Sequence, residues 1–255
     1  MEDILDIQHE SNQQDGPSLS QLDAEGYKFD FSRAFETGWA AFKDDIGQYI
    51  LYTLVMLVII IASLITIVGP ILIAMPLSAG VMIYGSYALK KETREFNTFF
   101  EGFKFFGPLL GYLLIMVLLS LVFIVPFALI FGMGSAIADA ANSEAIEAIS
   151  AIMLGPLQIL IMVISVLIQA FLFFSVPLIV IGGLGTMDAI KWSAKIARKQ
   201  FWWILLFAFV VSLISQAGAF ACYVGLLFTM PLSQCLILGA YADIVGLGNK
   251  QEASL

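Results

Sequence analysis

The chain is poor in the side chains that hydrolytic and metal chemistry use. It has one histidine, two cysteines, and charge on only 13% of its 255 residues. Catalytic zinc needs several His, Cys or carboxylate ligands converging. His9 stands in an acidic stretch beside Glu10 and reads as a solvated side chain. A Ser–His pair at membrane depth would require His9 to re-enter the bilayer, and a two-carboxylate site would require a companion for Asp243. There is no phosphate-cradling glycine loop, no nucleophile elbow and no basic patch suited to nucleic acid. GGLG at 182–185 follows an apolar run and precedes a basic amphipathic segment, so it reads as a hinge. These absences predict a protein that is not an enzyme and holds no cofactor or metal. Cys222 and Cys235 are separated by about 20 Å of helix rise. A disulfide spans at most ~7 Å between Cα atoms, so both are expected as free thiols.

What the chain has in excess is apolar residues, at 60%, well above the roughly 45–50% of soluble domains. They fall in blocks of roughly 20, the length a helix needs to cross a ~30 Å hydrocarbon core. Barrel strands would alternate over ~10 residues, and no such alternation is present. The expected fold is all-α, a polytopic transmembrane helix bundle. Spans are predicted over 49–68, 71–89, 109–131 and 157–181. The run 201–245 is too long for one crossing and should turn near Gly218–Gly225, giving six spans.

Charge is distributed unevenly. Residues 1–48 hold eleven acids and three bases, and Met1–Glu25 holds seven acids with no Lys or Arg. Residues 1–26 therefore read as a disordered acidic tail, 27–246 as the membrane domain and 247–255 as a short C-terminus. No basic leader precedes the first span, which is expected to serve as its own insertion signal. Every Lys and Arg lies before span one, in the connections 90–107 and 182–200, or at Lys250. The connections near Gly69, at 132–156 and near Gly218–Gly225 have none. Positive residues collect on the cytoplasmic side, so both termini are expected there.

Each cytoplasmic entry carries an amphipathic segment. Phe31, Phe35, Trp39 and Phe42 make one stripe, and Phe96, Phe99, Phe100, Phe103 and Phe106 make another. In the third, Met187, Ile190 and Ala194 oppose Lys191, Lys195, Arg198 and Lys199. Such helices lie in the interface with the apolar face inserted, and the four cations are candidate contacts for anionic lipid. SEAIEAISAIM at 143–153 is expected as a short interfacial helix on the opposite surface.

MPLSAGVMIYGSYAL at 75–89 and MPLSQCLILGAYADI at 230–244 align at an offset of 155 residues. The hairpins 31–89 and 187–244 repeat one order: amphipathic segment, span, tight outer turn, proline-bearing span. A looser third copy occupies 96–181. Pro76, Pro126, Pro177 and Pro231 mark expected helix kinks. Ser78 and Ser233 are expected to serve packing partners, and Gly80 and Gly85 to allow close helix approach.

FSRAFETGWAAFK, MDAIKWSAKIARKQFWWILL and GLLFTMPLSQCLILGAYADIVG together resemble a group of bacterial six-span integral membrane proteins. That group includes the YciC-like family and the membrane domain attached to some glycerophosphodiester phosphodiesterases. The resemblance covers about half the chain, and implies inner-membrane location and no agreed activity. The long acidic tail is a departure from it, and no phosphodiesterase domain is present.

Gln169, Gln216 and Gln234 lie within spans, as do Ser165, Ser175, Ser212, Ser215 and Ser233. Such groups commonly join helices, but Gln169 and Gln234 fall near mid-span, the depth at which transporters bind. Asp243 lies a turn from the cytoplasmic end of span six, in reach of Lys191, Lys195 or Arg198. The leading expectation is a non-enzymatic protein that organises the membrane, assists assembly or partners a larger complex, its own copies included. The alternative is a permease or channel for a small solute.

Overall fold

The computed structural model describes Leu19, Leu22, Ala24 and residues 26–66, 68–140, 144–220 and 224–245, with the side chains of 123, 127, 129–140, 144–154 and 220 left out of account. His9, Cys222, Lys250, the bulk of the acidic tail and the short C-terminus lie outside the described residues.

The described residues are helical throughout their regular structure. α1 (Phe31–Lys43) leads into α2 (Ile46–Ser63) and α3 (Gly69–Lys90). A 3-10 helix (Phe96–Phe105) runs into α4 (Phe106–Ala140), followed by α5 (Glu144–Leu172) and α6 (Ser175–Val180). α7 (Thr186–Lys199), α8 (Phe201–Phe220) and α9 (Leu226–Val245) complete the chain. Six stretches are long and apolar enough to cross a membrane. The protein is a multi-pass all-α membrane bundle.

Local chemistry explains the boundaries. Asp30 accepts from the Arg33 amide and Asp45 from the Gln48 amide, each supplying the N-cap that an isolated helix start lacks. Pro70 sits in the first turn of α3, where its missing N–H costs nothing. Gly69-Pro70 thus opens a helix, and the preceding span stops earlier than its apolar run, at Ser63. The outer connection expected at 132–156 is largely helix: α4 runs to Ala140 and α5 starts at Glu144, so 143–153 belongs mostly to a span helix rather than to a separate interfacial one.

Shifting the bounds of α1, α2 and α3 by the 155-residue offset gives 186–198, 201–218 and 224–245. The third hairpin has 186–199, 201–220 and 226–245. The repeat is therefore one of elements as well as of letters. Contacts between elements close it into a ring. α3 packs on the 3-10 helix that opens the middle copy, α5 and α6 pack on α7, and α9 returns to pack on α1. Each second span thus grips the interfacial segment of the next copy, and the last grips the first.

The ring's seams are made of small residues. On α1 the buried face is Ala34, Gly38, Ala41 and Phe42, with Phe31 and Phe35 half-buried at its edge and Trp39 exposed. A Cβ on Gly38 would stand 2.6 Å from the Cys235 carbonyl, and one on Gly239 would fall on the Ala34 carbonyl. Ala34-x3-Gly38 thus meets Cys235-x3-Gly239, the small-residue packing that lets helices touch through their backbones. At the second seam a Cβ on Gly80 would fall on the Phe99 carbonyl, and one on Gly102 on the Pro76 carbonyl. Phe99 is fully buried there, its ring stacked between Tyr52 at 4.2 Å and Tyr84 at 3.9 Å. The phenylalanine stripe of this segment is thus partly protein core: Phe99 is buried, while Phe103 is exposed.

Ion pairs gather at the end of the bundle where the cations lie. Arg94 pairs with Asp44 and covers the Tyr84 ring, and Tyr84 donates to Asp45 at 2.6 Å. Lys104 pairs with Glu101. Trp202 and Trp203 are exposed at the start of α8, as aromatic residues are at a membrane–water boundary. The outer lengths of α2, α4, α5 and α8 expose large apolar side chains, whereas α3 and α9 are the most enclosed of the spans.

Candidate functional site

α3 and α9, the two helices with MPLS, bring their prolines into the middle of the bundle. Both helices continue through Pro76 and Pro231. Ser78 and Ser233 bond within their own helices, contrary to the expectation of a packing partner. Ser78 donates to the Met75 carbonyl at 2.9 Å and Ser233 to the Met230 carbonyl at 2.8 Å. A short hydroxyl on a helix reaches the carbonyl one turn back before it reaches a neighbour. The same bond thus occurs at both repeat positions.

Pro126 lies inside α4, which runs on past it. Pro177 is different: the helix breaks before it, between Leu172 and Ser175. Proline has no N–H to give the carbonyl four residues back, here that of Phe173, and α6 restarts as a separate short helix. Ser193 of α7 stitches the break. Its hydroxyl donates to the Phe171 carbonyl at 2.7 Å and accepts from the Phe174 amide at 3.1 Å. In the sequence Ser193 is a letter of the MDAIKWSAKIARKQFWWILL stretch that carries the resemblance, with nothing there to assign it this bridging role.

Gln169 on α5 and Gln234 on α9 are separated by 65 positions in the chain, yet line one cavity of about 410 Å³. Ser78 of α3, Tyr112 of α4 and Ser212 of α8 line it with them, so five spans contribute polar groups. Ser212 donates back to the Phe209 carbonyl at 2.7 Å. Neither glutamine amide forms a hydrogen bond with a described residue. Two smaller cavities adjoin the large one. One of about 120 Å³ shares Gln169 and Met116 with it and adds Ser120 and Ser165. The other, about 60 Å³, shares Ser78 and Gln234 and adds Thr53, Ser215 and Ser233. Gln216 is exposed and lines none of these three. Ser175 is fully buried, its hydroxyl without a partner.

Asp243 does not pair with Lys191, Lys195 or Arg198. Its partner is Arg33, whose Nε lies 2.5 Å from Oδ1, and the Asp30 amide donates to Oδ2 at 2.9 Å. The α9–α1 seam brings the first helix under the last, and that places Arg33 nearer than any cation of α7. The carboxylate side chain is fully enclosed. Oδ2 accepts the Asp30 amide while Oδ1 has the Arg33 ion pair but no hydrogen bond, and the two contacts make it a clamp across the ring's closing seam. Beside it, burial raises the Tyr27 hydroxyl pKa above the ordinary tyrosine value, with the Asp243 charge adding to the effect. The Tyr27 hydroxyl donates to the Ile196 carbonyl at 2.7 Å.

The four cations of α7 are exposed, and three have protein contacts. Lys191 pairs with Asp188 at 3.5 Å, Lys195 covers the Trp192 ring at 4.3 Å, and Lys199 donates to the Leu22 carbonyl at 2.9 Å. The helix buries Ala189, Ser193, Ile196 and Ala197. Met187 of the expected inserted face is exposed. Cys235 is a buried free thiol. Among the described residues no three His, Cys, Asp or Glu side chains converge as metal ligands would.

Comparison with family models, curated proteins and solved structures returned no match to this chain. The class of the molecule therefore rests on the fold: a six-span all-α membrane bundle closed into a ring around a glutamine-lined groove.

Proposed function

We propose that this protein is a non-enzymatic component of a bacterial inner (plasma) membrane, with both termini cytoplasmic, that organises the bilayer or holds a membrane-protein partner. The observation that carries this reading is the closed ring. Each interfacial segment is locked on the proline-bearing span of the neighbouring copy, so the charged end is a stiff collar with Lys191, Lys195, Arg198 and Lys199 exposed on it. A collar of this kind presents fixed cations to anionic headgroups or to an acidic partner surface. The likeness to the YciC-like group points the same way, since that group implies inner-membrane location. Deletion of the gene, together with crosslinked co-purification from membranes, tests the proposal. An altered envelope and a stable partner, or a stable self-association, are expected. An unchanged envelope with no partner overturns it.

One observation favours a second reading, a permease or channel for an uncharged small solute: Gln169 and Gln234 share a mid-bundle cavity, the position of transporter sites. Liposomes containing the purified protein discriminate. Glycerol or urea flux above that of protein-free vesicles supports this reading, and equal flux counts against it.

A further inference from the structure

We infer that the central groove is a binding site for an uncharged, hydroxyl-bearing lipid, its hydroxyls held by Gln169 and Gln234 and its chain laid between α4 and α5. This goes beyond the organising reading and does not depend on it.

The size of the space comes first. A cavity of about 410 Å³ lies within the ~300–1,000 Å³ of small-ligand sites. Its walls set the chemistry. None of the described side chains lining it carries a full charge at neutral pH. A charged ligand would sit there uncompensated, at a cost of several kcal/mol. Met75, Met82 and Met116 line the same space, and flexible thioethers adapt to an irregular hydrocarbon surface.

Hydrogen-bond accounting then narrows the class. Ser78 and Ser212 spend their protons on their own helices, so each offers the groove an oxygen that accepts. The two glutamines offer both a carbonyl and an NH₂, and neither is satisfied by a described residue. Gln169 is exposed and Gln234 half-buried, so both amides are open to a ligand in the groove, and each is best met by a group that donates and accepts at once. A hydroxyl does both with a single atom. Two hydroxyls on neighbouring carbons would match two amides.

The side cavity past Gln169 supplies the chain's track. It is walled by Met116, Leu119, Ile124, Ile161 and Ile168, with Ser120 and Ser165 donating back into their own helices. From Met116 to Ile124 the track follows α4 for about 12 Å. Ser120, Ser165 and Gln169 interrupt that wall, but it is richer in hydrocarbon than the other side cavity, where Thr53, Ser78, Ser215, Ser233 and Gln234 stand among Met56, Val81, Met230 and Pro231. The asymmetry orients the ligand, with its hydroxyls toward Gln234 and its hydrocarbon along α4 and α5.

The probe is a monoacylglycerol with a photoreactive diazirine in its acyl chain, incorporated into nanodiscs with the full-length protein. Saturable labelling of 112–124 or 161–173 is expected, competed by unlabelled monooleoylglycerol but by neither free glycerol nor phosphatidylglycerol. Gln169→Leu with Gln234→Leu should weaken labelling about tenfold, the scale of one hydrogen bond lost. Gln216→Leu should leave it unchanged. Ala208→Phe fills the groove while keeping both amides, and should abolish labelling whether or not the glutamine variant folds. Labelling that does not saturate, that maps elsewhere, or that ignores both groove variants overturns the inference. Competition by glycerol alone would hand the groove to a free solute, and competition by phosphatidylglycerol would refute the exclusion of charge.

Discussion

Gly80 and Gly239 set how near the proline-bearing spans come to their neighbours. At each, a methyl group would meet a backbone carbonyl of the facing element, Phe99 or Ala34, and a backbone cannot rotate aside as a side chain can. Gly80→Ala or Gly239→Ala should therefore force a seam apart, destabilising the protein by about 1–3 kcal/mol or more. Gly47 on α2 has open space where its Cβ would go, so Gly47→Ala should be neutral or mildly stabilising, because alanine is the better helix former. Thermal unfolding in detergent measures all three, and equal midpoints for the seam and control variants would refute the close-packing account. Asp243 belongs to the same scale. Its position near the end of the last span is legible in the sequence, but its partner was misplaced. Sequence distance favours no cation over another, and only the ring brings Arg33 to it.

At the scale of elements, α7 shows how one amphipathic helix divides its faces. The narrow side of Ala189, Ser193 and Ala197 goes into the bundle, Met187 stays exposed, and the cations stand apart from both. Near an anionic leaflet each cation contributes about 1 kcal/mol. Changing Lys191, Lys195, Arg198 and Lys199 together to Gln should cut retention of phosphatidylglycerol by roughly fivefold per charge engaged, read by native mass spectrometry. The contrast with wild type should shrink as salt rises, because exposed charges are screened. Unchanged retention at low salt would remove lipid contact as the role of this face. Lys199 also holds the Leu22 carbonyl, so Lys199→Gln alone separates that tie from the headgroup effect.

For the whole molecule, the prediction is topological. The ring requires all three interfacial segments at one end and the α4–α5 connection at the other. Single cysteines at Ser143 and Lys250, in a background with the native cysteines replaced, should label from opposite sides of the membrane, with Ser143 outside. Equal accessibility of both in intact cells would break the six-span arrangement.

The sequence by itself determined the number of spans, the confinement of Lys and Arg to alternate connections, and a repeat whose 155-residue offset the helix bounds follow closely. All of these depend on apolar length and on charge near span ends, which are local quantities. It also marked Gly80 and Gly85 of the first MPLS helix as sites of close approach; that both MPLS helices are the most enclosed spans came from the structure. Tertiary structure alone decided which faces meet. The aromatic stripe of α1 had the stronger apolar pattern, yet Ala34 and Gly38 make the seam. In a bilayer, lipid is as apolar as leucine, so hydrophobicity does not distinguish a lipid-facing side from a protein-facing one. Tertiary structure also decided that Gln169 and Gln234 converge while Gln216 does not. Convergence depends on the rotation of each helix about its axis, and close packing at distant glycines fixes that rotation.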